Sequence, residues 1–125
     1  MRDLKSNIDI VQSIVPAVYS AAQNGTGADL QGFNSAMVEF FSGVDVGSTH
    51  APSVEESDTL GSGYTAVAAA DLIGSLPADI QANEVHRVGY KGNKRFIRAV
   101  VTSGGASLAY GANIIRGNPD NRPLA

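Results

Sequence analysis

Arg95-Phe96-Ile97-Arg98-Ala99-Val100-Val101-Thr102 is the stretch whose reading decides the fold. In an extended chain, alternation puts Ile97, Ala99 and Val101 on one side and Phe96, Arg98 and Val100 on the other. The first side carries no charge, so it is the expected core face. Lys91-Gly92-Asn93-Lys94 separates this strand from Glu84-Val85-His86-Arg87-Val88-Gly89-Tyr90. A spacer of that length with Gly and Asn reads as a β-hairpin turn. Downstream, Ser103-Gly104-Gly105-Ala106-Ser107 turns the chain into Leu108-Ala109-Tyr110-Gly111-Ala112-Asn113-Ile114-Ile115-Arg116, so three consecutive strands are expected to form a meander.

Further upstream, Gly32 to Phe41 alternates with Ala36, Val38 and Phe40 on one side and Met37, Glu39 and Phe41 on the other. Pro16-Ala17-Val18-Tyr19-Ser20 and Ser53 to Asp58 are weaker strands, and Pro52 marks a strand start or an edge. Tyr64-Thr65-Ala66-Val67 reads as strand, while the Ala-rich Ala68 to Leu72 suits a helical turn. About seven short strands with regularly spaced turns predict an all-β, antiparallel β-sandwich, jelly-roll-like or immunoglobulin-like, over residues 16–116. Residues 1–15, with Leu4, Ile8, Val11, Ile14 and Val15, are expected to form an N-terminal arm or a short amphipathic helix. Residues 117–125, with two prolines and no periodicity, are expected to form an extended C-terminal arm.

A chain of 125 residues, 43% hydrophobic and 17% charged, has the composition of one folded domain. It holds no Cys, which removes disulfides, thiolate nucleophiles and Cys-ligated metals. It has no apolar run of about 18 residues and no basic-then-apolar start, so neither a membrane span nor a cleavable signal is expected. The net charge of −3 divides unevenly: residues 1–84 hold two basic and eleven acidic groups (−9), and residues 85–125 hold seven and one (+6). Two readings stay open. Opposite surfaces could face different neighbours, or the two halves could pair across one sheet.

The only imidazoles are His50, in the turn-like Gly47 to Pro52, and His86, beside Arg87. Neither sits in a nucleophile–base motif, so an exposed loop residue and a strand residue are expected, and not an enzyme. Glu55, Glu56 and Asp58 lack the spacing of a calcium loop and read as a solvated edge strand. Gly61-Ser62-Gly63 and Ser103-Gly104-Gly105 lack the Lys-Ser/Thr of a phosphate loop and read as turns. No metal, cofactor or catalytic residue is expected. The basic run Arg87, Lys91, Lys94, Arg95 and Arg98, interleaved with Tyr90 and Phe96, has the residue types of a nucleic-acid interface, yet the chain is acidic. These five cations, with Tyr90 as an anchor, are therefore the candidates for pairing with a protein surface, without direct nucleic-acid binding.

Three segments, Asp29 to Ala36, Val54 to Asp58 and Arg87 to Arg98, resemble small proteins encoded among the head genes of tailed bacteriophages and prophages. The likeness runs from about Met1 to Pro123 and includes Arg116-Gly117-Asn118-Pro119. The resemblance implies a structural virion protein beside the major capsid protein: a cement or decoration protein on the capsid surface, made in the host bacterial cytoplasm and acting as a homo-oligomer. The alternatives are a tail or head–tail connector subunit and a carbohydrate-binding sandwich. A looser likeness, in Glu56-Ser57-Asp58, Tyr64 to Val67 and Lys94 to Val100, is to the strand order of discoidin-like jelly rolls.

Overall fold

The computed structural model describes residues 1–45 and 49–121. The strands are β1 (Ile8–Tyr19), β2 (Gln23–Asn24), β3 (Ala28–Asp29), β4 (Phe33–Asp45), β5 (His50–Ser57), β6 (Thr65–Ala66), β7 (Leu72–Ile73), β8 (Val85–Tyr90), β9 (Phe96–Ser103) and β10 (Leu108–Pro119). Two single 3-10 turns, Lys5–Asn7 and Ala69–Asp71, are the only helical pieces among the described residues. All pairing is antiparallel, in two five-stranded sheets. The first has the order β1-β10-β4-β8-β7; the second has the order β2-β9-β5-β6, with β3 also on β9.

The expected alternation supplies the core. Ile97, Ala99 and Val101 of β9 face Val38 and Phe40 of β4 and Ile114 of β10 across the interior, and all six are fully buried. Leu108, Ile80 and Val88 add further fully buried aliphatic side chains from outside these runs. Each strand thus contributes every second residue to one apolar layer, which is the sandwich expected from the period of two.

Pairing joins the first strand with the last: β1 with β10, β2 and β3 with β9, β4 with β8, and β5 with β6. A long antiparallel ladder rolled up in this way is a jelly roll, not an immunoglobulin-like sandwich. The expected meander is corrected by it. β8 and β10 lie in the first sheet and β9 in the second, so Lys91 to Arg95 and Gly104 to Ser107 are not hairpin turns but crossings between sheets. Glycine and asparagine let the chain reverse in either case, and the better partner for β9 is β5, whose Val54, Pro52 and His50 match it inward residue for inward residue. Pro52 falls where β5 has β9 on one side only, because β6 pairs no further than Glu55 and Glu56.

The expected terminal arms are corrected as well. From Ile8 the N-terminus is a full edge strand, registered from Ile8 opposite Gly117 to Tyr19 opposite Leu108, with bulges between Gln12 and Ile14 and between Ile14 and Ala17. Val11 and Ile14 turn inward against β10, which would otherwise expose an unpaired ladder. Gly117 to Pro119, placed at the start of the C-terminal arm, belong to β10 and pair with β4. Asp120 and Asn121 follow as a bend, the Asp120 amide donating to the Gly32 carbonyl at 2.8 Å, and the arm's last residues, 122–125, lie outside the described residues. The segment left open between strand and helical turn contains both, β6 and then the Ala69–Asp71 turn.

Candidate binding surfaces

Most of the basic cluster is already used inside the chain. Arg98 stands opposite Glu55 across β9 and β5, and both Nε and Nη2 donate to Glu55 Oε1, at 2.9 and 2.6 Å. Its guanidinium carbon also lies 4.1 Å from the centre of the Tyr64 ring. Arg95 grips Asp29 with two parallel bonds of 2.9 and 2.8 Å. That fork holds the Asp29 carboxyl below the usual aspartate range, assisted by the Gln31 amide. Lys94 Nζ donates to Asp58 at 2.8 Å, which raises the ammonium above its ordinary value. Arg116 pairs with Asp9 and stacks on Phe33, 4.4 Å from the ring centre.

Tyr90, expected as a surface anchor, is only 6% exposed. It shares the inward side of β8 with Val88, and its hydroxyl donates to Glu56 at 2.7 Å while accepting from the Lys94 amide at 3.0 Å. Burial, together with the Glu56 carboxylate, raises its pKa well above that of a free tyrosine. The acidic run is corrected by the same bonds. Glu55, Glu56 and Asp58 do not form a solvated edge, because each serves a different partner and the two glutamates are half-buried. The uneven halves of the sequence therefore pair largely with each other. Arg87 and Lys91 are the two candidates that stay exposed with no ion-pair partner among the described residues.

The histidines divide. His50 is fully buried rather than exposed: its backbone amide donates to Asp79 at 2.8 Å, its Nε2 donates to the Ala106 carbonyl at 2.9 Å, and its ring lies 5.6 Å from that of Tyr110. The register opposite Ser103 places it inward, whatever its Gly, Ser and Pro neighbours suggest. His86 lies 2.9 Å from Glu84, whose carboxyl it lowers together with the Gln81 amide. Neither imidazole meets a nucleophilic side chain in these contacts.

Two surfaces remain open. The first is a cleft of 590 Å³ at one end of the sandwich. Lys91 to Arg95, passing from the first sheet to the second, form one wall; Leu30 to Ala36, passing from the second to the first, form the other, and Asp58 and Ile73 close the rim. Gly92 makes the crossing possible, since a Cβ there would lie 2.5 Å from the Tyr90 hydroxyl. The cleft offers cations, amides from Gln31 and Asn93, and the Phe33 ring, a set suited to an acidic, hydrogen-bonding surface loop; the Asn34 amide already donates to the Asn118 carbonyl and the Asp120 carboxylate.

The second surface is the outer face of the first sheet. Its registers line up three rows of side chains across the strands. Ile10, Ile115, Met37 and Ile73 form one apolar row, with Gly89 between the last two. Gln12, Asn113, Glu39 and Arg87 form a polar row beside it. Phe41 and Val85 form a second apolar row, and Phe41 and Pro16 close over Gly111, where a Cβ would lie 2.8 and 3.0 Å from them. This face was missed by reasoning that sought charge, although Met37, Phe41 and Ile115 all fall on the side opposite the expected core.

No family model matches the chain, and no curated protein matches it.

Proposed function

We propose that the chain is a structural virion protein that binds the outer face of a tailed-phage capsid and cements neighbouring major capsid subunits. One observation carries this reading. The three segments that resemble phage head proteins, Asp29 to Ala36, Val54 to Asp58 and Arg87 to Arg98, are far apart in sequence, yet all three contribute to the cleft at the end of the sandwich. The residues of the likeness and the open cleft coincide. In this reading Lys91, Lys94 and Arg95 face acidic capsid loops, and the amides of Gln31 and Asn93 fix their orientation. Lys94 and Arg95 arrive already held by Asp58 and Asp29, so little side-chain freedom is lost on contact. Weak individual contacts suffice, because many copies act on one shell.

The test is sedimentation of purified chain with capsids that lack it, alongside Lys91→Glu combined with Asn93→Glu. Both positions are exposed and outside every internal ion pair. Saturable binding of the parent, weakened about tenfold or more in the variant with thermal stability unchanged, is expected. Failure of the parent to bind capsids would end the cement reading. Equal binding by the variant would remove the cleft as its site, and labelling confined to the tail or its connector would transfer the protein there.

A further inference from the structure

We infer that the outer face of the β1-β10-β4-β8-β7 sheet is the contact between two copies of this chain, related by a twofold axis that runs along the strands between β4 and β8. An antiparallel sheet with one solvated side alternates polar residues outward. Here the outward side holds two apolar rows, and Ile73 and Val85 are 61% and 68% exposed. That pattern asks for a cover, and the polar row between them identifies it.

In that row Glu39 on β4 stands opposite Arg87 on β8. Within the chain they do not pair: Glu39 accepts from the Asn113 amide at 3.2 Å, and Arg87 has no ion-pair partner among the described residues. The row therefore changes sign across the line between β4 and β8. A twofold axis along that line lays each β4 over the partner's β8. Glu39 then meets the partner's Arg87 twice over, and Phe41 meets the partner's Val85. A contact of this kind is isologous and closes at two copies. Sheets stacked face to face cross by about 30°, which displaces residues near the axis least, and these are the residues named. The overlap is modest. Four strands face one another about this axis, β10 over the partner's β7 and β4 over its β8, and at about 4.8 Å spacing over about eight residues they make roughly 500 Å² per copy, below the ~800 Å² each partner contributes to a standard interface, so the pairing belongs to the weaker class.

The axis has a consequence for the cleft. Because it runs along the strands, both clefts emerge at the same end of the pair. If the cement reading holds, one dimer would grip two sites on the shell; the pairing itself does not rest on that reading and is tested without capsids.

Sedimentation-equilibrium measurement on the full chain at micromolar concentration gives the mass. The parent is expected at twice the chain mass. Arg87→Glu alone and Glu39→Arg alone each bring like charges together at both symmetric contacts, so each should weaken pairing by tenfold or more. Mixing these two variants should restore the doubled mass, since every contact then joins opposite charges, and the double variant Glu39→Arg/Arg87→Glu should pair like the parent. Recovery on mixing cannot come from a misfolded chain or from a contact elsewhere on the surface. A parent that stays single, single variants that still pair fully, or a mixture that fails to recover would each overturn the inference.

Discussion

The outer side of β9 and β5 carries Phe96, Arg98, Val100 and Glu55, and the outer side of β10 and β4 carries Ile115, Met37, Glu39 and Phe41. Both mix charge with apolar bulk, yet they end differently. On the β9 side the chain covers itself. Arg98 takes Glu55 and stacks on Tyr64, whose hydroxyl donates to the Leu60 carbonyl at 2.7 Å. The Thr26 to Ala28 strand entry runs so close that a Cβ on Gly27 would fall 1.9 Å from that hydroxyl. Phe96, under the Arg95 guanidinium and beside Asp29, and Val100, beside Asn24, are only 8% and 6% exposed, although they point away from the core. No such loop crosses the β10 side among the described residues. An acid and a base in register do not by themselves close a surface; a covering segment does, and where it is absent the same ingredients remain available to a neighbour.

The comparison can be broken or sharpened experimentally. The largest effect belongs to what both faces share. Phe40→Ala, at a fully buried position between the sheets, should cost about 3–5 kcal/mol in urea unfolding and loosen both faces together. Alkaline pH comes next, acting mainly on the inner side of the first sheet, where Tyr110 and Tyr90 both stand above the ordinary tyrosine value. Burial, with the Tyr19 hydroxyl nearby, pushes Tyr110 up to about 12. A raised tyrosine contributes stability that is complete below the unfolded value near 10 and is lost as pH climbs through the folded one. Through Tyr110 alone, stability should therefore fall between about pH 10 and 12 by on the order of 2–3 kcal/mol, and the still higher Tyr90 adds to the fall. Tyr110→Phe should remove its own share of that fall and leave that of Tyr90, at little cost near neutrality, since the buried Tyr110 hydroxyl has no hydrogen-bond partner among the described residues.

A smaller effect separates the faces directly. Arg98→Ala strands the half-buried Glu55 and uncovers Tyr64, an expected loss of about 1–2 kcal/mol. Arg87→Ala, its counterpart on the open face, should stay within ~0.5 kcal/mol for the single chain. Equal costs in a thermal melt would erase the distinction between a closed face and an open one. The smallest effect is Ile73→Thr, at a 61% exposed position, expected within ~0.5 kcal/mol under conditions where the chain is single.

Much of the layer structure was legible along the chain. Ile97, Ala99 and Val101, and likewise Ala36, Val38 and Phe40, announced their inward sides because a strand's period of two is a local property. Tyr90 was legible too, since it shares parity with the inward Val88, but its ring and its basic neighbours suggested an exposed anchor instead. His50 was not legible: its burial comes from pairing opposite Ser103, distant in sequence. The candidate cations were recognisable as a set. Which of them were taken was not, because Asp29, Glu55 and Asp58 lie at sequence separations of 66, 43 and 36 residues from their partners.

By itself the sequence determined that the molecule is a two-layered antiparallel β-structure, for alternation and turn residues act over a few neighbouring positions. Only the tertiary structure decided that the turns cross between sheets, that the N-terminus is an edge strand, and that Arg87 and Lys91 alone of the basic candidates have no ion-pair partner among the described residues. Those outcomes depend on which distant strand offers matching inward residues and opposite charge, and a strand carries no local mark of the partner it will meet.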